Sequence, residues 1–192
     1  TEITFLDKLR NKTSESHKNL EAIPISRIVV DPSISTEDYT LYLSLMHDVV
    51  SDYEKVIYPI VENVILDISE RKKADLILQD LKSIGEEKQK GHAFLKNHDQ
   101  KYSLPFALGM LYVLEGSTLG GRFILKNVSK VLQLSGEQGV SYFNGYGDKT
   151  GSFWKNFLAF LSEYEQEHNC GEEIIEGAVF AFDSIYKHFD RK

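Results

Sequence analysis

The sequence predicts an all-α fold, a single multi-helix bundle, and three observations carry that reading. Apolar residues recur at spacings of three and four along most of the chain. Strand-like alternation is scarce. The breaks between periodic stretches are prolines and glycines, placed where helices start and stop. A length of 192 residues suits one domain, 1–192, with one sizeable core.

The elements follow in order. Leu6, Leu9, Thr13, His17 and Leu20 form one stripe of a first helix, with Pro24 marking its exit. Ser35 and Asp38 make a capping-box variant for a long second helix. Its broad face, Tyr39, Tyr42, Leu43, Met46, Val49, Val50 and Tyr53, runs towards Pro59. Two further helical pieces are expected over 59–68 and 71–84, the second closed by a left-handed Gly85. The stretch 85–103 is polar, loop mixed with helix. A long helix then fills 104–134, with Pro105 in its first turn and Gly136 as its stop. Glycines and polar residues over 135–151, including Asn144-Gly145-Tyr146-Gly147, describe a loop. An aromatic helix over 152–168 and a last helix over 172–189 complete the bundle.

Composition removes several function classes. A net charge of −7 and a pI near 5.4 do not supply the basic field that nucleic acid requires. No apolar run approaches the roughly 20 residues of a membrane span, and charges are scattered through the first 21 residues, so a soluble cytoplasmic protein is expected. Cys170 is the one cysteine, which rules out an intrachain disulfide, a cysteine metal cluster and covalent heme attachment through CxxCH.

The informative segment is Tyr112-Val113-Leu114-Glu115-Gly116-Ser117-Thr118-Leu119-Gly120-Gly121-Arg122. Three interior glycines cost a helix about 3 kcal/mol relative to alanine, against a typical total stability of about 5–15 kcal/mol. Gly116 and Gly120 are four apart and share a face, where a flat molecule or another backbone can come close. Glycine spacing alone does not separate tight helix packing or a kink from an open binding face. The small hydroxyls of Ser117 and Thr118 beside the gap favour holding oxygen or water over a metal, which requires one good ligand on the opposing wall. His17 lies on the first helix's stripe, although a lone histidine there is more often a hydrogen-bonded core residue. Arg10, two turns earlier, suits a carboxylate such as a heme propionate, although a solvated charge is its commoner role.

Leu9-Arg10-x-x-Thr13-x-x-x-His17-x-x-Leu20-Glu21 resembles the proximal-helix motif of heme oxygenases, and the segment 112–121 resembles their distal helix, especially in bacterial, bacteriophytochrome-associated members. Order and separation match. The aromatic stretch 142–157, with Gly145-Tyr146-Gly147 and Trp154, and Ala178-Val179-Phe180 extend the likeness over nearly the whole chain. The resemblance implies a glycine-kinked distal helix, with His17 as proximal iron ligand. It also implies that Gly116, Gly120 and Gly121 let this helix approach heme, while Ser117 and Thr118 arrange distal water. Arg10 and Tyr112, and more weakly Lys155, are implied at the propionates and Phe180 along the pocket. The pair Gly116-Ser117 stands in a region where mammalian members carry an aspartate.

The implied reaction is oxidative opening of heme to biliverdin, carbon monoxide and ferrous iron, with heme as both substrate and prosthetic group. No flavin or nicotinamide fingerprint is visible, so electrons are expected from a separate ferredoxin or reductase; the resemblance to phytochrome-associated members implies a bacteriophytochrome as acceptor of biliverdin. A non-catalytic heme carrier and a heme-free helical interaction module are alternatives. So is a di-iron oxidase, for which Glu165-x-x-His168 offers one ligand pair but no second. A thiaminase-like hydrolase would need Cys170 as nucleophile, where a structural or surface thiol is expected. His47, His92, His98, His168 and His188 share no metal-ligand spacing and are assigned to surface or boundary positions.

Overall fold

The computed structural model describes residues 2–97 and 99–190; His98 lies outside them. Helix α1 (Phe5–Ala22) opens on a capping box the sequence reading did not identify, with Asp7 N donating to Thr4 Oγ1 at 3.2 Å and Thr4 N to Asp7 Oδ2 at 3.3 Å. Pro24 ends it by starting the short α2 (Pro24–Ile28). Helix α3 (Thr36–Asp52) begins at the expected Ser35/Asp38 box. It passes through a π-helical turn (Tyr53–Ile57) into α4 (Tyr58–Val61).

The two helical pieces expected over 59–68 and 71–84 are shorter in the structure. The first keeps only its start, to Val61 in α4, before a 3-10 turn (Ile68–Arg71), and the second becomes α5 (Ala74–Ser83). Glu54 is the reason α5 starts late: its Oε2 accepts from both Lys73 N and Ala74 N at 2.8 Å, capping the helix from another element. Gly85 is left-handed, φ +76°, as its position required.

Helix α6 (Leu104–Val131) runs unbroken through its glycines and ends five residues before Gly136. The following segment contains an isolated bridge between Ser135 and Gln138 and a 3-10 turn (Gly147–Lys149). It is fastened by buried Asp80, whose carboxylate accepts from Ser141 N at 2.9 Å and Tyr142 N at 2.8 Å. Helices α7 (Thr150–His168) and α8 (Gly171–Phe189) follow, joined through left-handed Asn169.

Helix α8 packs along both α6 and α1, while α1 and α6 hardly touch each other. The α6–α8 crossing is made by glycines: a methyl on Gly109 would overlap the Ile174 carbonyl oxygen, and one on Gly177 the Phe106 carbonyl oxygen. One core extends from Leu9 to Phe189. Among the described residues, no helix is long and apolar enough to cross a membrane.

Candidate functional site

The α1 stripe changes character along its length. Leu9 and Thr13 are buried, but one turn later the His17 side chain is 56% exposed. Its ring stacks on Phe182 of α8, centroids 5.0 Å apart, and its Nε2 lies 2.7 Å from Glu21 Oε1. Glu21 thus occupies Nε2, the nitrogen at the tip of the ring, and a metal would be met by Nδ1 or by displacing Glu21. Arg10 is also exposed and pairs with Asp7 at 3.3 Å. Burial raises the Tyr112 hydroxyl pKa while the charge of Arg10 opposes the rise, so these α1 and α6 side chains lie within electrostatic reach.

The three α6 glycines of the informative segment face different surroundings. A Cβ on Gly116 would sit 3.2 Å from the Trp154 indole of α7. One on Gly121 would sit 3.5 Å from Phe143, and one on Gly120 would meet nothing within 4 Å. Thus Gly120 borders open space. Ser117 Oγ donates to the Leu114 carbonyl at 2.5 Å and Thr118 Oγ1 to the Glu115 carbonyl at 2.7 Å. Such back-bonds bend helices and leave the hydroxyl oxygens as acceptors. Trp154 also packs on Tyr112, 5.5 Å between centroids. This donor set fits a heme: a single exposed imidazole, a glycine whose missing side chain leaves room, aromatic walls and a guanidinium nearby.

The other expected site residues are placed as follows. Lys155 is exposed on α7, next to Trp154. Phe180 packs with Tyr102 and Phe106 at 5.9 and 5.3 Å, so Phe182, two positions further on, is the α8 ring that meets His17. His168 Nδ1 lies 2.9 Å from the Tyr164 carbonyl, and among the described residues no three His, Cys, Asp or Glu side chains gather as a metal site. The Cys170 thiol is pushed up by burial and by Glu165, the reverse of what a nucleophile needs. His188 pairs with Asp48 at 2.9 Å, and His47 is half-buried beside it.

Sequence reasoning missed a charged cluster beneath α6. Glu115 is 1% exposed, Arg71 2% and Lys73 6%. Arg71 Nη1 donates to Glu115 Oε1 at 2.8 Å, the Tyr146 hydroxyl donates to Glu115 Oε2 at 2.6 Å, and Lys73 Nζ donates to the Tyr146 oxygen at 2.6 Å. Burial pushes the Lys73 ammonium down to about 8, Glu115 opposing and Arg71 reinforcing the shift. Glu115 was the available signal, because it is the one charged residue between Leu104 and Gly121.

Residues 3–191 match the sequence model of the heme oxygenase family. Heme oxygenase PigA of Pseudomonas aeruginosa is 26% identical over 181 residues, covering 92% of this chain and 86% of that protein. The crystal structure of NO- and CO-bound heme oxygenase from Neisseria meningitidis is 28% identical, with a TM-score of 0.72 over 97% of this chain and 89% of that one. A Synechocystis heme oxygenase in complex with heme shares the fold at 16% identity, with a TM-score of 0.68 over 98% of this chain and 91% of that one.

Proposed function

The chain belongs to the heme oxygenase family, and from that membership we propose that it binds heme between α1 and α6 and opens it to biliverdin, carbon monoxide and ferrous iron, using O2 and external electrons. The observation that carries the reading is a pairing: a half-exposed His17, backed by Glu21 and Phe182, with an α6 face on which Gly120 borders open space.

Heme supplies the redox iron and is itself the substrate; the protein supplies orientation and proton delivery. One nitrogen of His17 holds the iron while Glu21 fixes the ring. Arg10 and Tyr112, with Lys155 from α7, hold the propionates, Arg10 as a fork for a carboxylate. Gly120 opens the α6 main chain to the porphyrin face, while Gly116 and Gly121 let α6 pass close to Trp154 and Phe143 beside it. The Ser117 and Thr118 oxygens accept from water there, their own protons being directed to main-chain carbonyls. Phe182 forms the wall beside the ligand and Phe180 the rim. The described residues include no nicotinamide- or flavin-type glycine loop after a strand, which favours a separate ferredoxin or reductase as electron donor. A cytoplasmic location, a single domain over 1–192 and a bacteriophytochrome as recipient of biliverdin complete the proposal.

The test is a titration of wild type and His17→Ala with hemin, followed by a reductant in air. The expected result is a histidine-type Soret band present only in wild type, decaying to a biliverdin band with carbon monoxide released. Heme that binds through His17 and survives reduction would make the protein a carrier; no specific Soret band would overturn the site.

A further inference from the structure

The charged cluster beneath α6 has no part in the reading above. Burying Glu115, Arg71 and Lys73 removes three charges from water, and apolar residues of similar volume often stabilise a core equally well. What such a cluster provides is a fixed geometric register between the elements that contribute to it.

The elements it registers are α6 and α7. Arg71 Nη1 donates to Glu115 Oε1 on α6, while Arg71 Nη2 donates to the Phe153 carbonyl of α7 at 3.3 Å. The guanidinium lies over the Phe153 ring, 4.9 Å from its centroid, and its Nε is held by Asp67 at 3.1 Å. Tyr146 bonds Glu115 through its hydroxyl and packs its ring against Phe153, centroids 4.2 Å apart and planes tilted by 32°. Glu115 precedes Gly116 and Phe153 precedes Trp154. Those following residues are the ones in contact, the indole lying 3.2 Å from where a Gly116 Cβ would stand.

Side-chain interlocking is sparse at this contact: the α6 residue facing the indole is a glycine, Tyr112 is the α6 ring beside it at 5.5 Å, and α7 touches α6 far less than α8 does. Gly116 and Gly120 are four residues apart, about 6 Å along the helix, so a slide of α7 along α6 would carry the indole from one gap towards the other.

We propose that Arg71, Glu115 and Tyr146 are positioning residues of the heme site: they hold α7 against α6 so that Trp154 stands at Gly116 and bounds where the porphyrin edge lies along the distal helix. The proposal rests on the heme reading, but its first consequence is visible without heme. Trp154 is the one tryptophan of the chain, so fluorescence excited selectively at tryptophan reports the surroundings of this one indole.

The experiment compares wild type with Tyr146→Phe, which keeps the ring contact and removes the phenol–carboxylate bond, and with Glu115→Gln. Helix content by circular dichroism confirms that each variant is folded. In the heme-free protein, both variants should shift Trp154 emission to longer wavelength and make it more accessible to acrylamide. Loaded with hemin and turned over, both should change the ratio of biliverdin isomers, and turnover should fall about tenfold or more, as expected for misplaced reacting groups. Unchanged emission, quenching and isomer ratio, with only a lower melting temperature, would reduce the cluster to a stabilising element and overturn the proposal. If wild type makes no biliverdin, the heme-opening reading fails by itself, and the fluorescence comparison still decides whether the cluster sets the α6–α7 register.

Discussion

Gly109 and Gly177 are set against each other's helices at main-chain contact: a methyl on the first would overlap the Ile174 carbonyl oxygen and one on the second the Phe106 carbonyl oxygen. Helix α8 also carries Phe182, on which His17 stacks. The α6–α8 crossing therefore fixes how far the support of the proposed iron ligand stands from the distal helix. It separates the α6 glycines by role, since Gly109 is filled by backbone and Gly120 faces open space.

Gly109→Ala should destabilise the fold by about 2 kcal/mol or more, because the added carbon meets a carbonyl that cannot move without its helix. Gly120→Ala should raise stability by about 1 kcal/mol, through helix propensity alone. The same methyl should weaken hemin binding about tenfold if heme packs there. Urea denaturation and hemin titration of the two variants check both statements, and opposite signs in stability are the decisive outcome.

Glu21→Gln should leave the heme-free fold within about 0.5 kcal/mol of wild type, since the His17–Glu21 pair is largely exposed. Hemin affinity should fall about tenfold, the usual effect of losing the carboxylate behind a ligating histidine. Equal affinity would show that Glu21 does not orient the ring.

Phe182→Leu should cost about 1 kcal/mol of stability and weaken hemin binding by removing the platform under His17. Phe180→Leu should leave hemin affinity close to wild type, because Phe180 packs on Tyr102 and Phe106. The reverse order of affinities would place Phe180 beside the ligand.

Lys73 gives a pH signature. Its ammonium is pushed down to about 8 in the fold, from an ordinary value near 10.5, chiefly by burial. Below pH 8 the folded protein bears the whole cost of a desolvated charge, about 3 kcal/mol by linkage. Between pH 8 and about 10 the unfolded chain binds more protons, so stability should rise with pH by up to about 1.4 kcal/mol per unit. Above pH 10 the trend should reverse, since buried tyrosines such as Tyr146 resist ionisation in the fold but not in the unfolded chain. Denaturation midpoints across this range, in a Cys170→Ser background to remove the thiol's own titration, should show the rise in Lys73 protein and lose it in Lys73→Met.

Periodicity made the long helices legible, because their buried faces repeat with the helix itself: the Ser35 box, the α6 run after Pro105 and the left-handed Gly85 all stand where the sequence placed them. The short elements were less legible, because distant side chains define them. Glu54 caps α5 from across the fold, and nothing local to Lys73 or Ala74 announces it. The same holds within the proposed site. His17 and the glycines stand out in one dimension, whereas Arg71, in a run of three basic residues, reads as a solvated charge until α6 and α7 close around it.

The π-helical turn at Tyr53–Ile57 makes this stretch of chain a ruler whose length cannot be edited. In an ordinary α-helix two residues five apart diverge by about 140°, yet Tyr53 and Tyr58 are both buried and both hydroxyls end on carbonyls. Tyr53 reaches Met110 of the distal helix at 2.7 Å, and Tyr58 reaches Arg71 at 3.1 Å. Deleting one residue there would turn everything after it by about 100° and release one phenol from its anchor. Homologous chains that keep both tyrosines should therefore keep their spacing, and those that lose one should be free to vary in length.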